Sequence, residues 1–360
     1  MKNRANRLSR LRQKLAENGV DAIFISQPEN RYYLSGFHGS AGFLLITNRD
    51  AILATDFRYT EQAGNQAPGF EIFEVTGDMS SWFPELTSGL NLKNMGVESR
   101  HIVLALYNQL SEILKKCELR INLVPLDGLV ESLRVIKEPE EIELIRRAAA
   151  ISDQAFTHIE TIIRAGMSER EVAWEVEKFM REHDSEALPF DVIVASGPNA
   201  ALPHAKPSAR LIDTNEPVLI DIGARIEGYC SDLSRTLCLG TDDTFAKIYR
   251  VVLDAQVSAM SIIKEGNTAG QVDNAARDVI QQAGYGEAFG HALGHGVGLA
   301  PHESPRLGPG SQELLTSGMV FTVEPGIYLK GWGGVRIEDL VIMENGIINV
   351  ISRARKGKND

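Results

Sequence analysis

The chain has no apolar run approaching the roughly 18 residues that a membrane-spanning helix needs. Its first residues, MKNRANRLSRLRQKLAENG, are basic, but no apolar segment follows the charges. They read as a helix and not as a secretory signal. Cysteine is scarce: Cys117, Cys230 and Cys238 make an odd count with no C-x-x-C spacing, which reads as reduced thiols in a cytoplasm. Positive charge is in deficit. With 37 Lys and Arg against 48 Asp and Glu the formal net charge is −11, which disfavours a nucleic-acid or anionic-membrane partner. No low-complexity tract or proline-rich linker is present. What remains is an ordinary globular composition in 360 residues, 43% hydrophobic and 24% charged, long enough for two domains with their own cores.

The first part alternates helices and strands. Leu8, Leu11 and Leu15 recur at helical spacing and Gly19 ends that helix. DAIFIS, FLLIT and AILAT are short apolar strands, and HIVLALYNQLSEILKKC is helical. This predicts a small α/β domain over 1–133. The helix opened by Pro139, with Glu140 and Glu141 in its first turn, begins a second domain over 134–360.

The second domain reads as duplicated. GMSEREVAWEVEKFMRE starts at Gly166 and GNTAGQVDNAARDVIQQ at Gly266, an offset of 100 residues, and Ser168 with Glu171 forms a capping-box start in the first copy. An apolar strand carrying one acid follows each helix: Asp221 in VLIDIG and Glu324 in VFTVEPG. Each strand turns through glycine and reaches a further acid, Asp232 or Glu338. The offsets grow along the chain, so the halves are related with insertions.

Carboxylates in apolar strands are costly unless paired, and few lysines or arginines are placed to pair with Asp221 and Glu324. Metal ions are the economical partner. Four carboxylates balance two divalent cations, and oxygen-rich donors with one imidazole suit manganese and tolerate cobalt or zinc. Paired metals about 3.5–4 Å apart share bridging carboxylates and activate a water.

GHALGHGVGLAPHE, residues 290–303, packs His291, His295 and His302 together. These could share one metal, hold three separate posts, or be core histidines. The glycines argue against a helix, and the segment is not H-E-x-x-H.

Together DIGARIEGYCSDLSRT, GHALGHGVGLAPHE, VEPGIY and GGVRIED resemble the signatures of the pita-bread metallopeptidases, and in particular the proline-specific branch of Xaa-Pro dipeptidases (prolidases) and aminopeptidase P. RYYLSGFHGSAG and TDFRYTEQA resemble that branch's creatinase-type N-terminal domain. The fold implied is α+β: a small α/β creatinase-type domain, then a pseudo-twofold duplicated pita-bread catalytic domain. Carried over by residue, the resemblance implies two divalent ions, most naturally Mn2+, with Co2+ or Zn2+ as substitutes. Asp221 is a terminal ligand, Asp232 and Glu338 bridge, and His295 and Glu324 complete the second metal. Glu324 also moves the proton. His204, His291 and His302 line the substrate site and bond the scissile carbonyl, and Arg336 orients a bridging carboxylate from behind.

Arg306 matches the arginine with which dipeptidases of the family hold the substrate's free carboxylate, a task suited to a planar fork. The resemblance also implies a homodimer in which loops bearing His38 and Arg58 close over the neighbouring site. The expected function is a cytoplasmic peptidase for the Xaa-Pro bond at a peptide's N-terminal end, with dipeptides preferred. The alternatives are aminopeptidase P on longer peptides, a non-enzymatic peptide binder and a creatine-type amidinohydrolase. The complete acid set speaks against the last two.

Overall fold

The computed structural model describes residues 2–357. The chain divides into two compact units, Met1–Arg134 and Val135–Asp360.

In the first unit, helix Lys2–Glu17 buries Leu8, Leu11 and Leu15. A six-stranded sheet follows, in the spatial order Glu71–Glu74, Ala51–Thr55, Phe43–Thr47, Ala22–Ile25, Asn94–Glu98, Asn122–Leu126. Ala22–Ile25 runs antiparallel to Phe43–Thr47 and parallel to Asn94–Glu98. All four of its residues are buried, which explains why AIFI is apolar throughout and does not alternate. Phe24, Phe43 and Trp82 stack beneath the sheet, with successive centroids 4.9 and 5.9 Å apart. On the surface Arg58 makes two hydrogen bonds of 2.8 Å to Asp56.

The second unit shows its duplication in local structure. Gly166 and Gly266 both take left-handed φ, 86° and 88°, at the turns into helices Glu169–Glu182 and Ala269–Gln282. Each helix then starts with a capping box, Ser168 with Glu171 and Thr268 with Gln271. Long helices Pro139–Ile162 and Asp243–Ile262 stand before them as equivalents, and Pro139 occupies the first turn as its missing N–H allows. The first half continues as the three-stranded antiparallel sheet Ile193–Ser196, Pro217–Ile222, Leu233–Cys238. The second continues as a five-stranded sheet and the hairpin Gly326–Leu329/Gly333–Arg336.

Each half has its own apolar core. One gathers Val172, Val176, Val218, Ile220 and Ile222. The other gathers Val272, Ala276, Phe321, Val323 and Val341. The halves join through their acid-bearing strands: the Glu338 N–H donates to the Ser234 carbonyl at 3.0 Å, and the Thr236 hydroxyl donates to the Arg336 carbonyl at 2.9 Å. This is the expected α+β architecture, a small α/β unit followed by a unit built of two related halves.

Candidate functional site

Four carboxylates and one imidazole converge where the two halves meet. Asp221 lies in strand Pro217–Ile222 opposite Ser234, and Asp232 immediately precedes strand Leu233–Cys238. Glu324 immediately follows Val320–Val323, and Glu338 sits between Gly333–Arg336 and Asp339–Glu344. Ligand atoms of Asp232, His295 and Glu338 all lie within 4.8 Å of one another. The His295 Nε2 is 3.3 Å from Glu324 Oε1 and 3.6 Å from Asp232 Oδ2.

His295 owes its position to its neighbours. It is the centre of strand Gly294–Gly296. A Cβ on Gly294 would press on the Thr322 carbonyl, and one on Gly296 on the Ser304 carbonyl. Only glycine lets the adjacent backbones come this close. The His295 N–H donates to Thr322 Oγ1 at 3.1 Å, and that hydroxyl donates to Glu324 Oε1 at 2.9 Å, so one threonine sets both groups. A proton on His295 Nδ1 serves the Gly296 carbonyl at 3.1 Å and leaves the Nε2 lone pair facing the acids. Burial lowers the His295 pKa, which keeps the ring neutral as a metal ligand must be.

The acids are pushed the other way. Burial raises Asp232, helped by Glu338, Asp221 and Glu324. Burial raises Glu338, helped by Glu324 and Asp221, and it raises Glu324 as well. A lone pair and several carboxylate oxygens thus point at one another, and Asp221 Oδ1 is buried there with no hydrogen-bond partner. Divalent cations supply what such a donor set lacks, and its oxygen-rich make-up with a single nitrogen fits a hard or borderline ion.

Arg336 departs from the expectation that it orients a bridging carboxylate. Its Nη2 donates to Asp221 Oδ2 at 2.5 Å, its Nε to Ser234 Oγ at 2.8 Å and its Nη1 to the Tyr328 hydroxyl at 2.9 Å. Thus Asp221, expected to lack a basic partner, has one. The reason is the antiparallel contact between the halves, which carries Arg336 past Asp232 to the neighbouring strand. Burial works to lower the guanidinium's pKa, but Tyr328, Asp221, Glu324 and Glu338 together raise it well above normal.

The three histidines of 290–303 separate. His302 is exposed, with its ring 4.2 Å from the His295 ring, and partial desolvation there lowers its pKa. His291 is turned to the protein: its Nε2 is 2.9 Å from the Tyr328 hydroxyl and its Nδ1 2.8 Å from the Ala292 carbonyl. Both ring nitrogens are thereby engaged, which corrects the expectation that His291 bonds the scissile carbonyl directly. His204 lies exposed in the loop after 3₁₀ turn Gly197–Ala201. Arg306 is exposed and pairs across the sheet with His295, so both side chains leave the same face.

Sequence reasoning passed over several residues. Tyr328 is in the quoted VEPGIY motif, four residues after Glu324, and its proximity to that acid was available as a signal. Asp273 and Arg277, at helical i,i+4 spacing, were also readable as a pair. What that pair holds was not: Arg277 donates to the Phe289 and His291 carbonyls, and Asp273 Oδ1 accepts from the Leu293 N–H at 3.0 Å. The Leu293 carbonyl in turn accepts the Glu324 N–H at 2.8 Å.

Residues 143–345 match the model of metallopeptidase family M24, and residues 7–136 that of the creatinase/prolidase N-terminal domain. The chain belongs to metallopeptidase family M24 and carries that N-terminal domain. It is 43% identical, over 94% of its length and 96% of the relative's, to a Bacillus subtilis protein called uncharacterized peptidase YqhT. Among solved structures it superposes on an Xaa-Pro dipeptidase from Bacillus anthracis with a TM-score of 0.95 at 41% identity, covering 99% of both chains. An X-Pro aminopeptidase from Thermotoga maritima superposes with a TM-score of 0.86 at 37% identity, covering 94% of this chain and 97% of that one.

Proposed function

We propose that the protein is a dinuclear metallopeptidase that hydrolyses the Xaa-Pro bond at the N-terminal end of peptides, with Xaa-Pro dipeptides preferred. The observation that carries this reading is the convergence of Asp232, Glu338 and His295 within 4.8 Å, beside Glu324. Asp221, Asp232, His295, Glu324 and Glu338 would hold the two cations, manganese by preference. When bound, the cations supply Lewis-acid polarisation of the scissile carbonyl and lower the pKa of a water toward about 7.

The side chains do the rest. Glu324 can take a proton and return it, because its carboxylate stands among the cluster's donors, 3.3 Å from His295 Nε2, within reach of the activated water. Its acceptor is the proline nitrogen, a poor leaving group until protonated. His302, exposed beside His295 and with its pKa lowered by desolvation, offers a ring N–H to the developing oxyanion, and His204 reaches in from its exposed loop. His291 serves from behind. Arg336 donates to the Tyr328 oxygen, and the Tyr328 hydroxyl donates to His291, so the pair fixes Arg336 and through it Asp221. Arg306 leaves its strand on the same face as His295 and takes the dipeptide's carboxylate in its fork.

The Bacillus anthracis relative is an Xaa-Pro dipeptidase by name, which favours dipeptides. The Thermotoga maritima neighbour is named an X-Pro aminopeptidase, and it supports the second reading, release of the first residue from longer peptides. The decisive assay strips metal with a chelator, restores manganese, and compares an Xaa-Pro dipeptide with an Xaa-Pro-containing tripeptide. Manganese-dependent cleavage of the dipeptide is expected. No cleavage of either would sink the enzyme reading, and cleavage of the tripeptide alone would sink the dipeptide preference. Arg306→Ala should cut dipeptide kcat/KM at least about tenfold more than tripeptide kcat/KM, given the strength of a paired carboxylate. Equal losses would make Arg306 structural.

We place the enzyme in the cytoplasm, on an odd cysteine count with no C-x-x-C spacing. Among the described residues no helix is long and apolar enough to cross a membrane. We further propose a homodimer, which light scattering of the purified protein tests directly.

A further inference from the structure

We propose that Glu169 is a positioning residue for the reaction, whose buried carboxylate fixes both ends of the loop that carries His204. The inference rests on reading His204 as a group that meets the substrate. Glu169 is the first residue of helix Glu169–Glu182 and is fully buried, yet it touches no acid or histidine of the metal cluster. Its Oε1 accepts from the Ser196 N–H at 2.7 Å, the Ser196 hydroxyl at 2.8 Å and Asn199 Nδ2 at 3.0 Å. Its Oε2 accepts from the Ser208 N–H at 2.9 Å and the Ser208 hydroxyl at 2.6 Å. Ser196 ends a strand and Ser208 begins the return, so the carboxylate closes an eleven-residue loop, 197–207, at its base.

An ionised acid is required for this. Every donor named points at oxygen, and a neutral amide would turn an N–H against one of them. Burial works to raise the Glu169 carboxyl, but the Ser208 and Ser196 donors overcome it and hold it below the usual range. The far side of the loop rests on the catalytic hairpin. The Pro203 carbonyl, one residue before His204, accepts from Arg336 Nη1 at 3.3 Å, and a Cβ on Gly334 would press on the Ala200 carbonyl. The loop is thus held by Glu169 at its base and by Arg336 beside its histidine. Loosening the base lets His204 wander relative to the acids without touching any of them.

The test uses the manganese-loaded full chain, an Xaa-Pro dipeptide and four measurements: kcat and KM, metal content, hydrogen exchange over 197–207, and the same kinetics in a His204→Ala background. Glu169→Gln is expected to lower kcat/KM about 10–100-fold, the scale of a misplaced positioning group, with metal content unchanged. Exchange should quicken at 197–207 more than elsewhere in the catalytic unit. Ser208→Ala, which removes one donor and leaves the acid, should do the same more weakly, and it decides the matter if Glu169→Gln does not fold. In the His204→Ala background neither change should cost more than about twofold, since Glu169 acts through His204. Undiminished losses in that background, or exchange at 197–207 that does not change, would overturn the proposal while leaving the role of His204 intact. If His204→Ala alone is as active as wild type, the role of His204 falls, and the proposal falls with it.

Discussion

Glu338 is a buried carboxylate among acids, which Arg336 and a hydrogen bond from Ser234 offset only in part. It is 1% exposed, its neighbours Glu324 and Asp221 are acids, and its backbone is pinned from behind. The pin is Arg235, itself 1% exposed, which donates to the Glu338 carbonyl and, at 2.8 Å, to Asp339 Oδ1. The backbone that carries the acid is therefore held in place. Glu338→Ala or Asp232→Ala should lower metal affinity by more than the about 10–100-fold typical of a ligand's outer partners. Elemental analysis after dialysis reads this directly, and activity should fall with it. A fully metallated, fully active Glu338→Ala protein would contradict the assignment. Tyr328 operates at the same scale: Tyr328→Phe keeps the ring but removes the bond to His291 and the acceptor for Arg336. About 1–2 kcal/mol of stability should go with it, measured as a lower denaturation midpoint, because one buried donor, on Arg336, and one acceptor, His291 Nε2, lose a partner.

The elements matter through how closely they approach. Strand Gly294–Gly296 is squeezed between Glu303–Leu307 and Val320–Val323, with a register shift beside His295. Gly294→Ala would push on the Thr322 peptide, whose hydroxyl sets His295 and Glu324. Overpacking of this kind costs about 1–3 kcal/mol, and here it should also reduce metal content. A normally stable, normally metallated Gly294→Ala protein would mean that the strands separate freely. Helix Ala269–Gln282 contributes through Asp273, 0% exposed, and Arg277. Arg277→Gln leaves a buried acid short of its partner. The cost should be about 2–3 kcal/mol, less than the 3–5 of a fully buried pair because Arg277 keeps part of its surface in water. Thermal denaturation of the metal-free variant, compared with the metal-free wild type, isolates that cost from the metal's own contribution.

At the scale of the catalytic unit, the acids come from both halves of the duplication, Asp221 and Asp232 from one and Glu324 and Glu338 from the other. Metal bound by these acids would therefore help hold the halves together, and free metal at 100 times its Kd should add about 2.7 kcal/mol. Its dependence on pH has a definite sign. Asp232, Glu324 and Glu338 are raised in the folded protein, so without metal they stabilise the fold at low pH and that contribution is lost as pH rises through their folded pKa values. Metal takes the place of the protons. The gap in Tm between loaded and stripped protein should widen as pH rises through the raised pKa values of these acids, and metal binding should release protons, seen as a buffer-dependent heat in calorimetry. A gap that narrows as pH rises would rule out protonated acids as the metal's competitors.

Much of this was determined by the sequence alone. Periodicity and caps marked the helices, because side chains three and four apart share a face whatever surrounds them: Leu8, Leu11 and Leu15 are buried as their spacing demands, and Ser168 caps with Glu171. Acids embedded in apolar runs marked the site, because the cost of burying a charge is local to the residue. The glycines of GHALGHG excluded a helix, but the choice of His295 as the one nitrogen among oxygens came from the segment's resemblance to the family signature. Tertiary structure alone decided which side chains those residues meet. Arg336 turned out to face Asp221, and His291 to face Tyr328, because antiparallel pairing between distant strands sets their partners, and no spacing along the chain encodes that register. The work of Glu169 was hidden for the same reason. In the sequence it is one more acid at a helix start, and only the return of the chain at Ser208 gives its second oxygen something to hold.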